Sequence, residues 1–160
     1  MSSFPFRAGD FVWCAFPESE HPVKPSDHPH IGYVLAVAAP KPAPGGSTRP
    51  PPSAAHQAII AYTTSQPWPH ASGRPGVIAF SAEQAATLGQ QRPFVLHLWR
   101  VAYLPVTLSW FPRLSMPGGG VAGSAPQTLR RELETRTMDV FRRHAENVEQ
   151  LGPLRPARPR

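Results

Sequence analysis

Two histidines stand where a predicted strand begins. His28 and His30 directly precede the apolar run 31–39, and Pro29 biases His28 toward extended geometry. In an extended segment, residues two apart project to the same side, so both imidazoles would face one space. Because imidazole has an ordinary pKa of about 6.5, such a pair can supply a general base and a general acid. The alternative is that both are ordinary loop histidines in a proline-rich segment.

Three consecutive hydroxyl side chains follow another apolar run. Thr63, Thr64 and Ser65 come directly after residues 59–62, which have the composition of a buried strand. Hydroxyls at a strand end often close a turn by bonding backbone amides. They can equally position a phosphate or an attacking hydroxyl group. The sequence leaves both interpretations open.

The loop after these hydroxyls contains an aromatic ring and a cation. Trp68, His70 and Arg74 lie in a segment rich in proline and glycine. Aromatic faces stack on unpaired bases and arginine pairs with phosphate, so these residues and Ser65 are predicted to contact RNA. The alternative is an exposed proline-rich loop that carries one tryptophan.

Charge and cysteine content narrow the classes of partner. The chain has 16 Lys and Arg against 10 Asp and Glu, a formal net charge of +6, which favours polyanions such as RNA or an acidic protein. Its single cysteine, Cys14, lies in the apolar run FVWCAF and is predicted to be a buried thiol. One cysteine forms neither an intramolecular disulfide nor a zinc-ligand pattern, so no metal site is predicted.

The length and hydropathy of the chain favour one domain. A chain of 160 residues with 41% apolar residues can form a single hydrophobic core. No run of about 18 apolar residues occurs, and the N-terminal sequence lacks a basic stretch followed by an apolar one. We therefore expect no membrane span, no membrane partner and a cytoplasmic location.

Short β-type runs separated by turn residues dominate the first two thirds of the chain. They cover 11–16, 31–39, 56–64, 77–80 and 93–111, the last one broken near Leu104 and Pro105. Ser81 as an N-cap and Gly89 as a stop predict one or two helical turns between the last two runs. This pattern favours a mainly-β fold, a small antiparallel barrel or roll.

The remaining segments are predicted from composition. A flexible insertion at 40–55, with six prolines, interrupts the barrel domain, which is predicted to span 1–114. A glycine-rich linker at 115–125, a helix at 126–151 and a disordered basic tail at 152–160 follow. The helix carries five arginines and five acidic residues, so it offers no basic face to nucleic acid.

The order of these motifs resembles the MazF/PemK family of toxin-antitoxin ribonucleases. The resemblance rests on GDFVW, PHIGYVLAV, IIAYTTS, SAEQAATLG and YLPVTLSWF, and it covers about residues 8–111. Each motif alone is common, and their order and spacing carry the resemblance. In that family the first strand opens with Gly-Asp and the third strand ends in a Thr-Ser pair.

The resemblance implies a half-open antiparallel barrel, Src-homology-3-like and of the CcdB/PemK type. It implies a homodimer that cleaves single-stranded RNA without a metal or cofactor, and that a cognate antitoxin protein binds. Cleavage of this kind needs a base for the 2′-hydroxyl proton, a group that stabilises the phosphorane charge, and an acid for the leaving 5′-oxygen. By position, Thr64 matches the threonine to which the family usually assigns catalysis.

The sequence departs from the family at the usual catalytic arginine. His30 stands at or beside that position, and His28 lies two residues earlier. A histidine is charged only part of the time at neutral pH. Either His30 and His28 act as acid and base with Thr64, or the protein is a PemK/CcdB-like module that binds RNA or a protein without cleavage. The substitution alone does not decide between them.

Overall fold

A computed structural model describes residues 5–39, 56–66 and 76–155. The strands in these residues are β1 Asp10–Cys14, β2 His30–Ala38, β3 Gln57–Thr64, β4 Val77–Phe80, β5 Phe94–Pro105, β6 Val121–Ser124 and β7 Glu149–Leu151. The helices are α1 Ala82–Thr87 and α2 Gln127–His144, with single 3-10 turns at Pro117–Gly120 and Ala145–Asn147. The predicted insertion at 40–55 lies outside the described residues.

Six strands form one curled antiparallel sheet. Their order is β4-β5-β3-β2-β1-β6, and β7 pairs with β5 in parallel. The prediction of a mainly-β protein with an antiparallel half-barrel, a short internal helix and a C-terminal helix is confirmed. No helix in the described part of the chain is long and apolar enough to cross a membrane.

An irregularity in β5 bends the sheet. Ala61 of β3 faces Val101 of β5, but the next residue, Tyr62, faces His97. Residues 98–100 therefore have no partner on β3. A bulge of this kind bends its strand and increases the local twist. Beyond the bend, the first part of β5 pairs with β4 on its other side.

Both faces of the sheet are buried, because the central strands are apolar on both sides. Helices α1 and α2 cover one face, and segments outside the strands cover the other. The first core includes Ala85 of α1, Leu88 directly after α1, and Leu133 and Val140 of α2. The non-strand residues in the second core include Phe6, Phe16, Trp110 and Phe111.

Helix α1 lies between the N-cap and the stop that the sequence predicts. The Ser81 hydroxyl accepts from the Gln84 backbone N–H at 3.2 Å, and the Gln84 side chain accepts from the Ser81 N–H at 2.9 Å. Gly89 adopts φ +70°, a conformation that favours glycine. The helix packs against β6, where a Cβ atom at Gly123 would lie 2.7 Å from the Leu88 side chain. It thereby directs the loop before β5 toward the sheet.

The segment predicted as a glycine-rich linker, 115–125, is partly a strand. Its second half is β6, in which Ser124 faces Asp10 of β1. Small residues give β6 a weak strand signal in the sequence. It forms because the outer edge of β1 offers unpaired backbone groups, which the neighbouring segment satisfies.

The C-terminal half of the chain differs from prediction in two further places. The helix predicted at 126–151 ends at His144, and residues 149–151 form β7 beside β5. Residues 106–111 are predicted as a second strand piece. Strand β5 ends at Pro105, and the residues after it form turns instead. Strand β5 ends where its partner begins, since Pro105 faces Gln57, the first residue of β3.

Asp10 links β1 to its surroundings. Its buried carboxylate accepts the Arg7 backbone N–H at 3.0 Å and the Ser124 hydroxyl at 2.6 Å. Gly9, which precedes it, has φ +97° and donates its N–H to the Val34 carbonyl at 2.9 Å. The Gly-Asp pair therefore forms the turn into β1 and anchors β6.

We expect Asp10→Asn to lower the free energy of unfolding by about 2 kcal/mol, because hydrogen bonds to a charged acceptor contribute about that much and the amide presents a donor to one of its two partners. Urea denaturation measures the change. Asp27→Asn, at an exposed loop position, is the matched control and should stay within about 0.5 kcal/mol of the wild type. Equal stability of the two variants would contradict the anchoring role of Asp10.

Candidate functional site

A groove of about 730 Å³ opens beside the start of β2 and the end of β3. We call it the central groove. Its other walls come from the loop between α1 and β5 and from single side chains of β1 and β5. The lining residues capable of acid–base, hydroxyl or cationic chemistry include His28, His30, Thr63, Thr64, Ser65 and Arg92. The histidines and hydroxyls selected from the sequence therefore line one space.

Thr63 fixes the two strand ends against each other. The antiparallel register, in which Tyr33 faces Ala61, brings Ile31 opposite Thr63. The buried Thr63 hydroxyl donates to the Ile31 carbonyl at 2.6 Å. The first of the three hydroxyls is thus a structural tie between β2 and β3.

Thr64 closes a turn, which is one of the two roles considered for these hydroxyls. Its Oγ1 accepts the backbone N–H of Gln66 at 3.1 Å. This bond uses an acceptor position of the hydroxyl, so the O–H of Thr64 remains able to donate to a ligand in the groove. Ser65, the next residue, is exposed at the groove wall.

The His30 ring is held by the backbone around it. Its Nδ1 lies 3.2 Å from the His28 carbonyl oxygen, and its ring meets the Tyr62 ring edge-on with centroids 5.7 Å apart. Burial, the largest cause, and the positive charge of Arg100 lower the pKa of His30, although the carbonyls of His28 and Thr63 act in the opposite direction. The net lowering favours the neutral imidazole near pH 7.

His28 differs from His30 in its exposure. It lies before β2 in an exposed position, and its ring borders the central groove. Its carbonyl accepts from His30, so the two residues are coupled through the backbone. His28 is therefore the more accessible of the two imidazoles to a ligand.

Arg92 is the groove cation that the sequence analysis did not identify. It lies in the loop after α1, together with Gly89, Gln90 and Gln91. The signal that could have found it is a lone arginine between a helix stop and the next strand. No Asp or Glu is present among the described residues that line the groove, so Arg92 faces no competing carboxylate there.

Trp13 is a second groove residue that was not predicted from the sequence to belong to the site. It belongs to β1 and is partly buried. The Arg113 guanidinium carbon lies 3.9 Å from the centre of its ring, which is a cation–π contact. The groove wall therefore includes an aromatic ring that is itself in contact with a cation.

A smaller pocket of about 340 Å³ adjoins the central groove, and we call it the side pocket. His28, His30 and Tyr62 line both spaces. The other walls of the side pocket come from the loop after β1 and from Arg100 of β5. The central groove and the side pocket are therefore neighbouring spaces on either side of these residues.

Three residues predicted to contact RNA, Trp68, His70 and Arg74, lie outside the described residues. Within the described ranges, no group of three or more His, Cys, Asp or Glu side chains is arranged to hold a metal ion. Cys14 is buried, as predicted, and burial raises its pKa to about 12. It takes no part in either space.

No model of a known protein family matches this chain, and no curated protein is significantly similar to it. The chemistry of the groove is therefore indicated by its own side chains.

The lowered pKa of His30 predicts a pH-dependent stability. A histidine whose pKa is lower in the folded than in the unfolded chain binds protons more tightly when unfolded. Above the ordinary pKa of about 6.5 the ring is neutral in the folded and the unfolded chain, so its titration does not lower the free energy of unfolding. As the pH falls below that value, the unfolded chain takes up the proton more readily and the free energy of unfolding decreases. We therefore expect the unfolding free energy of wild type minus that of His30→Gln to decrease from pH 7.5 to pH 5.

Urea denaturation of both proteins at several pH values measures this difference. A constant difference between wild type and His30→Gln would show that the ring titrates alike in the folded and unfolded chains.

Proposed function

We propose that this protein binds single-stranded RNA in the central groove and cleaves it, as a toxin ribonuclease of MazF/PemK type. One observation carries the proposal: His28, His30, Thr64 and Arg92 line one open groove in which no described lining residue is a carboxylate. A phosphodiester backbone suits such a groove, because nothing there repels its charge and a cation attracts it.

The groove contains side chains for each step of cleavage by the 2′-hydroxyl. His28, exposed at the wall, takes the 2′-hydroxyl proton and delivers a proton to the leaving 5′-oxygen. Arg92 stabilises the charge on the phosphorane and stands in for the family arginine that His30 replaces. The Thr64 O–H donates to a phosphate oxygen. His30 either shares the acid–base role or positions His28 through its bond to the His28 carbonyl.

The fold and the order of motifs support the same proposal. A curled antiparallel half-barrel with an internal helix is the architecture that the resemblance implies, and we propose that it is the Src-homology-3-like barrel of the CcdB/PemK type. The proposal includes a homodimer and a cognate antitoxin protein that covers the groove. It includes no metal or cofactor.

Cleavage of mixed single-stranded RNA in excess EDTA tests the proposal. We expect fragments with 2′,3′-cyclic phosphate and 5′-hydroxyl ends. His28→Ala and Arg92→Ala should each lower the rate about a hundredfold or more, because the first removes an acid or base and the second a charge that stabilises the transition state. Arg131→Ala, an exposed position on α2, is the matched control for Arg92 and should cleave like the wild type. Equal rates in all four proteins would refute the assigned site.

A second candidate function is binding without cleavage. It is favoured by the observation that Thr64 Oγ1 already accepts from Gln66 and that His30 Nδ1 lies against a carbonyl, so two of the predicted catalytic groups have backbone partners. Under this function the RNA stays intact while its electrophoretic mobility shifts. Arg92→Ala would then weaken the shift, whereas His28→Ala would leave it nearly unchanged.

A further inference from the structure

We propose that the side pocket binds one nucleobase next to the phosphate held in the central groove, and that it selects guanine. The inference rests on the proposed RNA-binding function and adds a base-specific subsite to it. His28, His30 and Tyr62 form the shared wall of the two spaces, so a base on the nucleotide beside them enters the side pocket directly.

Arg100 provides a flat surface inside this pocket. Its guanidinium carbon lies 4.4 Å from the centre of the Tyr62 ring and 5.6 Å from that of Phe16. Its Nη2 donates to the Pro17 carbonyl at 3.5 Å, and its Nε lies 3.7 Å from a carboxylate oxygen of Glu149. These contacts hold the planar group in place before any ligand binds, and splayed-out bases stack on arginine planes of this kind.

The surface of Arg100 is accessible from the pocket. Its side chain is 22% exposed, although it is stacked on Tyr62 and paired with Glu149. A further bond supports the wall, because the Ser19 hydroxyl donates to the same Glu149 carboxylate at 2.5 Å. The pocket wall is thus supported by contacts between residues far apart in the sequence, and these contacts form without a ligand.

The side pocket differs from the central groove in charge. Glu18 and Glu20 line the pocket, whereas no described residue lining the groove is acidic. Carboxylates repel a phosphate and accept from the N–H groups of a base edge. The RNA backbone is therefore directed to the groove and a base edge to the pocket.

Guanine is the base whose edge fits this arrangement. Its Watson–Crick edge presents two neighbouring donors, N1–H and the 2-amino group, which match the two oxygens of one carboxylate. Adenine and cytosine place an acceptor beside their amino group, and uracil flanks its single N–H with two carbonyls. Each of these presents an acceptor to a carboxylate where guanine presents a donor.

Binding of an uncleavable RNA tests the inference. The probes are fluorescein-labelled 2′-O-methyl pentanucleotides, UUGUU and UUIUU, in which inosine lacks only the 2-amino group. Fluorescence anisotropy at one fixed salt concentration gives the dissociation constants. Wild type should bind the guanosine probe about tenfold more tightly than the inosine probe, since a hydrogen bond to a charged group contributes about that factor or more. The double variant Glu18→Gln/Glu20→Gln should lose this ratio.

The ratio of the two affinities is the readout, because removing carboxylates also raises the overall attraction for RNA. Glu146→Gln, exposed and outside the lining of both spaces, is the matched control and should keep the tenfold ratio. Equal affinities of wild type for both probes, or a ratio that survives in the double variant, would overturn the guanine subsite while RNA binding stands. Failure of wild type to bind either probe would overturn the proposed function and the subsite together.

Discussion

The register between β2 and β3 decides where the polar side chains of the groove lie. Tyr33 faces Ala61, and the bond from the Thr63 hydroxyl to the Ile31 carbonyl holds the two strand ends together at 2.6 Å. Because side chains alternate along a strand, a slip of one residue would turn His30 to the opposite face of the sheet. The buried hydroxyl that contributes no chemistry of its own is therefore what keeps the chemically useful residues adjacent.

Electrostatics divides the site into two parts. The central groove has Arg92 and two imidazoles without a described carboxylate, whereas the side pocket has Glu18 and Glu20 beside a fixed guanidinium. His30 lies between them, and its burial favours the uncharged ring. A strand of RNA has the same division, with charge on its backbone and uncharged donors on its bases. The two spaces together match both parts of that ligand.

Much of the fold could be predicted because its signals are local. Apolar runs bounded by proline and glycine marked the central strands, and Ser81 as an N-cap with Gly89 as a stop marked α1. The edge segment β6 and the three-residue β7 carry no such signal, because they become strands only through the partners that β1 and β5 offer. Sequence alone gave no reason to associate them with the barrel.

The candidate site was predictable to the extent that strand order brings strand ends together. His28, His30 and Thr64 were found in this way, since each flanks a recognisable run. Arg92 and Arg100 were not, because one lies in an unremarkable loop and the other enters the side pocket only where β5 bends at its bulge. A side-chain position that depends on a backbone bulge cannot be predicted from the alternation of apolar and polar residues along a strand.

The segment directly after β7 contacts a loop that comes much earlier in the chain. The Gly152 N–H donates to the Pro22 carbonyl at 2.6 Å, so a segment near residue 150 fastens the loop that leads to His28. During translation this fastening cannot form until that segment has left the ribosome. A nascent chain that has made only the first five strands therefore lacks the contact that completes the wall of the pocket.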